Sequence, residues 1–151
     1  MKLSERINQD LKEAMKSGDR IRLLTIRSIR ALILEFEKSG SGKKLIEEEE
    51  IKLLSSAAKK RKEAIEEYTK AGRNDLSEIE EAELKIIMSY LPKQLTKEEL
   101  ISKVKILADE LGANSKEDFP KLMPLAIKEL KGKADGKVIK EEVRKKNGHH
   151  D

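Results

Sequence analysis

Apolar residues recur at three- and four-residue intervals along most of this chain, the spacing that aligns side chains on one face of an α-helix. Leu3, Ile7, Leu11, Ala14 and Met15 predict a short first helix, which Ser17-Gly18-Asp19 breaks with a stop and a new N-cap. From Arg20 to Lys38 the apolar positions Ile21, Leu23, Leu24, Ile26, Ile29, Leu32, Ile33 and Phe36 cover much of the circumference. That pattern predicts a helix packed against several neighbours at the centre of a bundle. Ser39-Gly40-Ser41-Gly42 reads as a flexible connector. Glu47 to Glu50 then put negative charge where a helix macrodipole favours it, and Ile51, Leu54, Ala58, Ile65 and Tyr68 mark the stripe of a third helix ending at Ala71-Gly72. Asp75-Leu-Ser-Glu78 has a capping pattern that opens a fourth helix through Ile79, Ile86, Ile87 and Tyr90, stopped by Pro92.

Three shorter segments follow. Thr96-Lys-Glu-Glu99 is a capping box, and Leu100, Ile101, Val104, Leu107, Ala108 and Leu111 form the face of a fifth helix ending at Gly112. Ser115 or Asp118 caps a sixth, with Pro120 tolerated in its first turn and Pro124 bending it. Asp135 caps a seventh, through Val138, Ile139 and Val143. No segment alternates in the two-residue period of a strand. The expected fold class is all-α: an N-terminal helical hairpin bundle over residues 1–91, a small three-helix C-terminal domain over residues 95–146, and a frayed tail over residues 147–151.

Composition narrows the chemistry. The 151 residues are 41% charged and 3% aromatic and include no Cys, which removes disulfides, Cys-ligated zinc, iron–sulfur clusters and thiol nucleophiles. No apolar run approaches the roughly 18 residues of a membrane span, and the first sixteen residues are amphipathic, so a soluble, cytoplasmic protein without membrane contact is expected. His149 and His150 lie in the tail with no third ligand nearby, so neither a metal site nor a Ser-His-Asp arrangement is expected. Phosphate-binding glycine loops are absent. The acidic runs at Glu47 to Glu50 and at Glu78, Glu80, Glu81 and Glu83 read as solvated helix faces. No cofactor and no self-contained catalytic site are expected.

Charge is unevenly spread. Residues 1–45 carry 11 basic and 6 acidic side chains, residues 46–99 carry 10 and 14, and residues 128–146 carry 8 and 4. Such asymmetry points to polyanion contact or self-association. Lys59-Lys60-Arg61-Lys62 spans most of a helix circumference and reads chiefly as surface. Arg20, Arg27 and Arg30 fall within an arc of about 80°, either a phosphate-contacting edge or partners of the acidic helices. Lys131-Gly-Lys-Ala-Asp-Gly-Lys137 combines lysines with two glycines and a capped helix N-terminus. It suits an anion, or it is a plain helix–turn–helix connector.

Taken in order, Arg27-Ser-Ile-Arg-Ala31, Lys60-Arg-Lys-Glu-Ala-Ile65, Tyr68-Thr-Lys-Ala-Gly-Arg-Asn-Asp-Leu76, Tyr90-Leu-Pro-Lys-Gln-Leu95 and Lys131-Gly-Lys-Ala-Asp-Gly-Lys137 resemble the YqeY family over essentially the whole chain. That family is similar to the C-terminal tail of the B subunit of the glutamine-dependent tRNA amidotransferase. The resemblance implies a helical N-terminal domain, a three-helix tail domain and contact with tRNA. Carbon–nitrogen ligase activity with glutamine as amido donor is implied only in association with other subunits, because nothing here matches the catalytic parts. One stretch departs from the family pattern: Phe119-Pro-Lys-Leu-Met-Pro124 stands where a Gly-Lys-Val-Met type sequence is usual. The leading expectation is a non-catalytic module binding tRNA or another structured RNA. Lys131, Lys133, Lys137, Lys140 and Arg144 would neutralise phosphates, and Gly132 and Gly136 would allow close approach. That module is expected to associate with an amidotransferase or another translation component; the alternatives are an auxiliary component of a carbon–nitrogen ligase and a helical protein-interaction module that binds no nucleic acid.

Overall fold

The computed structural model describes residues 1–113 and 116–146. Among these residues the chain is all-α, with helices α1 (Leu3–Ser17), α2 (Arg20–Lys38), α3 (Glu47–Lys70), α4 (Asn74–Tyr90), α5 (Lys97–Leu111), α6 (Phe119–Leu130) and α7 (Gly136–Lys146), and a 3₁₀ turn at Lys116–Asp118. Ser115 and residues 147–151 lie outside the described residues.

The helix boundaries follow local chemistry. Gly18 closes α1 in the left-handed conformation at φ 72°, and the Asp19 carboxylate accepts from the Arg22 N–H at 3.1 Å to open α2. No side chain caps α1 from its own N-cap position. Glu50, from the first turn of α3, accepts the Leu3 N–H at 2.9 Å instead. At the end of α3 the Arg73 N–H reaches the Tyr68 carbonyl and the Gly72 N–H the Thr69 carbonyl, a Schellman closure that uses the positive φ of Gly72. Thr96 and Glu99 form the expected reciprocal box. Asp75 differs from expectation. It lies inside α4, after the N-cap residue Arg73, and pairs with the Arg73 guanidinium at 3.0 Å and 3.1 Å. Pro124 sits inside α6 without ending it.

The helices gather into two compact units, Met1–Leu91 and a second that begins at Pro92. In the first, α2 packs against α1, α3 and α4, and α3 packs along α4. Ile7, Ile26, Ile29 and Ile87 are fully buried there, each contributing roughly 2 kcal/mol of apolar burial. In the second, α5, α6 and α7 pack pairwise around Leu100, Val104, Leu122, Ala126, Ile139 and Val143. Several apolar residues expected on buried faces are exposed: Met15, Ile21, Leu24, Ile79, Ile101, Leu111 and Val138. Periodicity selects the face of a helix, but its edge residues are covered only where a neighbouring helix reaches them.

Candidate nucleic-acid interface

The segment between α6 and α7 is built by local closure and one distant clamp. Gly132 adopts φ 78°, which lets the Lys133 N–H donate to the Leu130 carbonyl at 2.9 Å and brings Lys131 and Ala134 into a single β-bridge. The clamp comes from the start of the same unit. The Gln94 amide donates to the Gly132 carbonyl at 2.6 Å and to the Pro92 carbonyl at 2.8 Å, and the Leu95 N–H donates to the Lys133 carbonyl at 2.8 Å. Two sequence motifs 38 residues apart are therefore one structural element. Gln94 is a positioning residue that periodicity could not have found, since a lone polar residue in a Pro-containing connector carries no pattern.

Asp135 then opens α7. Its carboxylate accepts the Lys137 N–H at 2.9 Å and its carbonyl accepts the Ile139 N–H at 3.0 Å. This capping takes up one of the first-turn amides and sets a negative charge beside the others, so side chains rather than backbone amides would hold a phosphate here.

The basic side chains emerge in a defined pattern. Ile139 and Val143 are buried on the inner face of α7 together with Glu142, which Lys145 joins at 3.5 Å. Lys137, Lys140 and Arg144 are exposed and share an arc of about 60° on the opposite face, with Lys133 exposed just before the helix. None of these four enters an ion pair among the described residues. Lys131 is half-buried at the C-cap of α6 and stands apart from the stripe. Glu141 is exposed at the edge of the stripe and offsets part of its charge. The glycines divide in role. Gly132 is needed for the turn and its carbonyl is occupied, whereas a Cβ on Gly136 would meet nothing within 4 Å, leaving that position open to approach.

The other charged clusters resolve differently. In Lys59-Lys60-Arg61-Lys62 the two leading lysines are exposed, but the Arg61 Nε lies 2.8 Å from Glu83 and 3.5 Å from Glu80 across the α3–α4 packing. Glu80 and Glu83 are therefore not a solvated face. Burial raises the Glu80 carboxyl above its usual range, the neighbouring Glu83 adds to the rise, and Arg61 opposes it. Tyr90, almost fully buried, donates its hydroxyl to Asp10 beneath the Arg6 guanidinium, which stands 4.9 Å from the ring centroid. Burial and the bond to Asp10 push the phenol well above its usual range. Arg20, Arg27 and Arg30 of α2 are exposed and unpaired among the described residues, so of the two alternatives the pairing with acidic helices does not form there. No group of three His, Cys, Asp or Glu among the described residues is placed to hold a metal ion, and His149 and His150 lie outside them. No helix among them is long and apolar enough to cross a membrane.

Comparison with known proteins gives a family and a set of fungal relatives. The family model described as Yqey-like protein matches residues 4–146. A Lachancea thermotolerans protein named altered inheritance of mitochondria protein 41, mitochondrial, is 38% identical over 107 residues, covering 70% of this chain and 57% of the relative. Its namesake in Kluyveromyces lactis is 33% identical over 141 residues, covering 91% of this chain and 72% of the relative. The namesake in Pyrenophora tritici-repentis is 35% identical over 86 residues, covering 56% and 46%. The alignments thus span only part of each relative's length. These names overturn the cytoplasmic expectation, since each relative is named a mitochondrial protein. That expectation rested on the lack of a membrane span and on the amphipathic first sixteen residues, features that do not distinguish the cytosol from the interior of an organelle.

Proposed function

The chain belongs to the YqeY family, and we propose that it acts as a non-catalytic module binding tRNA or another structured RNA through the outer face of α7 and the turn before it. The observation that carries this reading is the stripe of Lys137, Lys140 and Arg144, exposed and unpaired opposite the buried Ile139 and Val143, with Lys133 at its head. Cations held in register on a rigid helix neutralise successive phosphates at little entropic cost, and each neutralised phosphate releases counterions. The four aromatic rings, Phe36, Tyr68, Tyr90 and Phe119, are all at least half-buried, so none offers a stacking platform and recognition rests on backbone shape and charge. Gln94 and Leu95 hold the turn that starts the stripe.

The test is a titration of the full chain with labelled tRNA at two salt concentrations, beside a Lys133→Ala/Lys137→Ala/Lys140→Ala/Arg144→Ala variant. Each phosphate contact contributes about 0.7 to 0.9 to the slope of log affinity against log salt, so removing four lowers the slope by roughly 3. Salt-insensitive binding by the unaltered chain, or a variant that binds as tightly as it does, would overturn the reading.

A further inference from the structure

The outer face of α2 has a regularity that its packing in the bundle does not require. Arg20, Leu24, Arg27, Ala31, Leu34 and Lys38 alternate in four- and three-residue steps, the spacing of a heptad seam, along about 27 Å of helix. The buried residues Thr25, Ile26, Ile29 and Ile33 lie on the other side. Leu24 is 47% exposed and Leu34 37%, and a shallow groove lined by Ala31, Leu34, Glu35, Lys38 and Ser39 opens at the C-terminal end of the seam. Arg30 flanks it, and none of the four cations has an ion-pair partner among the described residues.

We propose that this seam is a docking face for an acidic amphipathic helix of a partner protein, whose leucines pack on Leu24, Ala31 and Leu34 while its carboxylates pair with Arg20, Arg27, Arg30 and Lys38. The apolar positions favour a helix over RNA, because phosphates laid along the seam would cover leucines without desolvating them against anything apolar. The small Ala31 at mid-seam lets a second helix approach closely, as seam packing requires. Charge selects an acidic occupant and opposes a second copy of α2, since pairing the seam with itself would face cations with cations. This inference concerns a different surface from the α7 stripe and does not depend on RNA binding there.

The probe is a synthetic three-heptad helical peptide with Leu at the seam positions and Glu at the flanking ones, labelled for anisotropy and titrated into the full chain. A peptide with Lys replacing every Glu, and tRNA, are titrated in parallel. Leu24→Ser/Leu34→Ser alters only exposed side chains and is expected to weaken the acidic peptide at least tenfold. Arg20→Glu/Arg27→Glu/Lys38→Glu should abolish its binding and admit the Lys peptide, while the quadruple α7 variant leaves it unchanged. Failure of the acidic peptide to bind, or binding indifferent to both α2 variants, would overturn the proposal. So would a charge reversal that weakens tRNA while the serine pair has no effect on either ligand, which would make this face an RNA contact.

Discussion

Replacing Arg61 by Leu removes the cation between Glu80 and Glu83 while keeping most of the volume at the α3–α4 contact. The side chains of Arg61, Glu80 and Glu83 are 24%, 21% and 19% exposed, so the cluster is mostly but not wholly withdrawn from water. Breaking a fully buried ion pair costs about 3 to 5 kcal/mol, and the remaining solvent access reduces this to about 2 kcal/mol. In a unit of this size that lowers the midpoint of thermal unfolding by roughly 10 °C. Both tyrosines of the chain, Tyr68 and Tyr90, lie in the first unit and there is no tryptophan, so tyrosine fluorescence follows this unit alone. The loss should depend on pH with a definite sign. Without Arg61 the lowering influence on Glu80 is lost and its raised native value rises further, so the penalty is present above that value and fades as the pH falls and Glu80 protonates. Adding Glu80→Gln to the Arg61→Leu variant should recover part of the loss at neutral pH. In the unaltered protein the raised Glu80 value means that stability falls as pH rises from the ordinary glutamate value to the native one. An Arg61→Leu variant with an unchanged midpoint at neutral pH, or one whose deficit is as large below the ordinary glutamate value, would refute the reasoning.

Tyr90→Phe deletes the hydroxyl that binds Asp10 and should cost about 1 kcal/mol by the same fluorescence assay, using Tyr68 as reporter. In a Tyr68→Phe chain, tyrosinate absorption from Tyr90 should rise only above the ordinary phenol range, and an ordinary titration would contradict the buried hydrogen bond. Thr96→Ala removes the hydroxyl half of the capping box at α5 and should cost about 1 kcal/mol, visible as faster amide exchange in the first turn of that helix. Because the Thr96 N–H holds the Glu99 carboxyl below its usual range, the contribution of the box should be complete above the ordinary glutamate value and disappear as pH falls through the native one; exchange rates independent of pH, after correction for intrinsic chemistry, would count against this. Glu141→Gln removes the negative charge at the edge of the α7 stripe and should raise tRNA affinity about twofold at low salt, less at high salt; weaker binding would mean that the stripe is not the RNA-facing surface.

Much of the fold was legible because helical sequences advertise their ends. Asp19, Thr96 with Glu99, Asp135, and the glycines at 18, 72 and 112 all occupy the capping positions their chemistry suggests. Asp75 misled because an acidic residue three places before Glu imitates a capping box, yet the preceding turn let the helix begin two residues earlier and left Asp75 to Arg73. Apolar periodicity also located the core stripes but not their edges. Leu24 and Ile79 sit at helical spacing from buried residues and are exposed all the same, since coverage depends on a neighbouring helix. At the candidate site, the common face of Lys137, Lys140 and Arg144 follows from the helix period alone. The function of Gly132 did not, because the Gln94 that claims its carbonyl is distant in sequence. Arg61 was hidden for a related reason: in a run of four basic residues nothing local tells which one turns inward to meet Glu83.

The two exposed basic helices differ in what separates their charges, and this difference decides what each can bind. On α7 no apolar residue separates the cations on the outer arc: Ile139 and Val143 are committed to the core, and the exposed Val138 stands about 100° around the helix from Lys137, off the stripe. A ligand there gains only Coulomb attraction and counterion release, terms that a flexible polyanion satisfies at any sequence and that salt removes. On α2 the cations alternate with Leu24, Ala31 and Leu34, so a ligand gains fully only by covering apolar surface and pairing charges together. That double requirement calls for a partner with its own heptad period, and it makes the binding at α2 less sensitive to salt than the binding at α7, since apolar burial is not screened. Similar net charge on two faces of one chain therefore selects chemically different partners, and the salt dependence of each is the quantity that separates them.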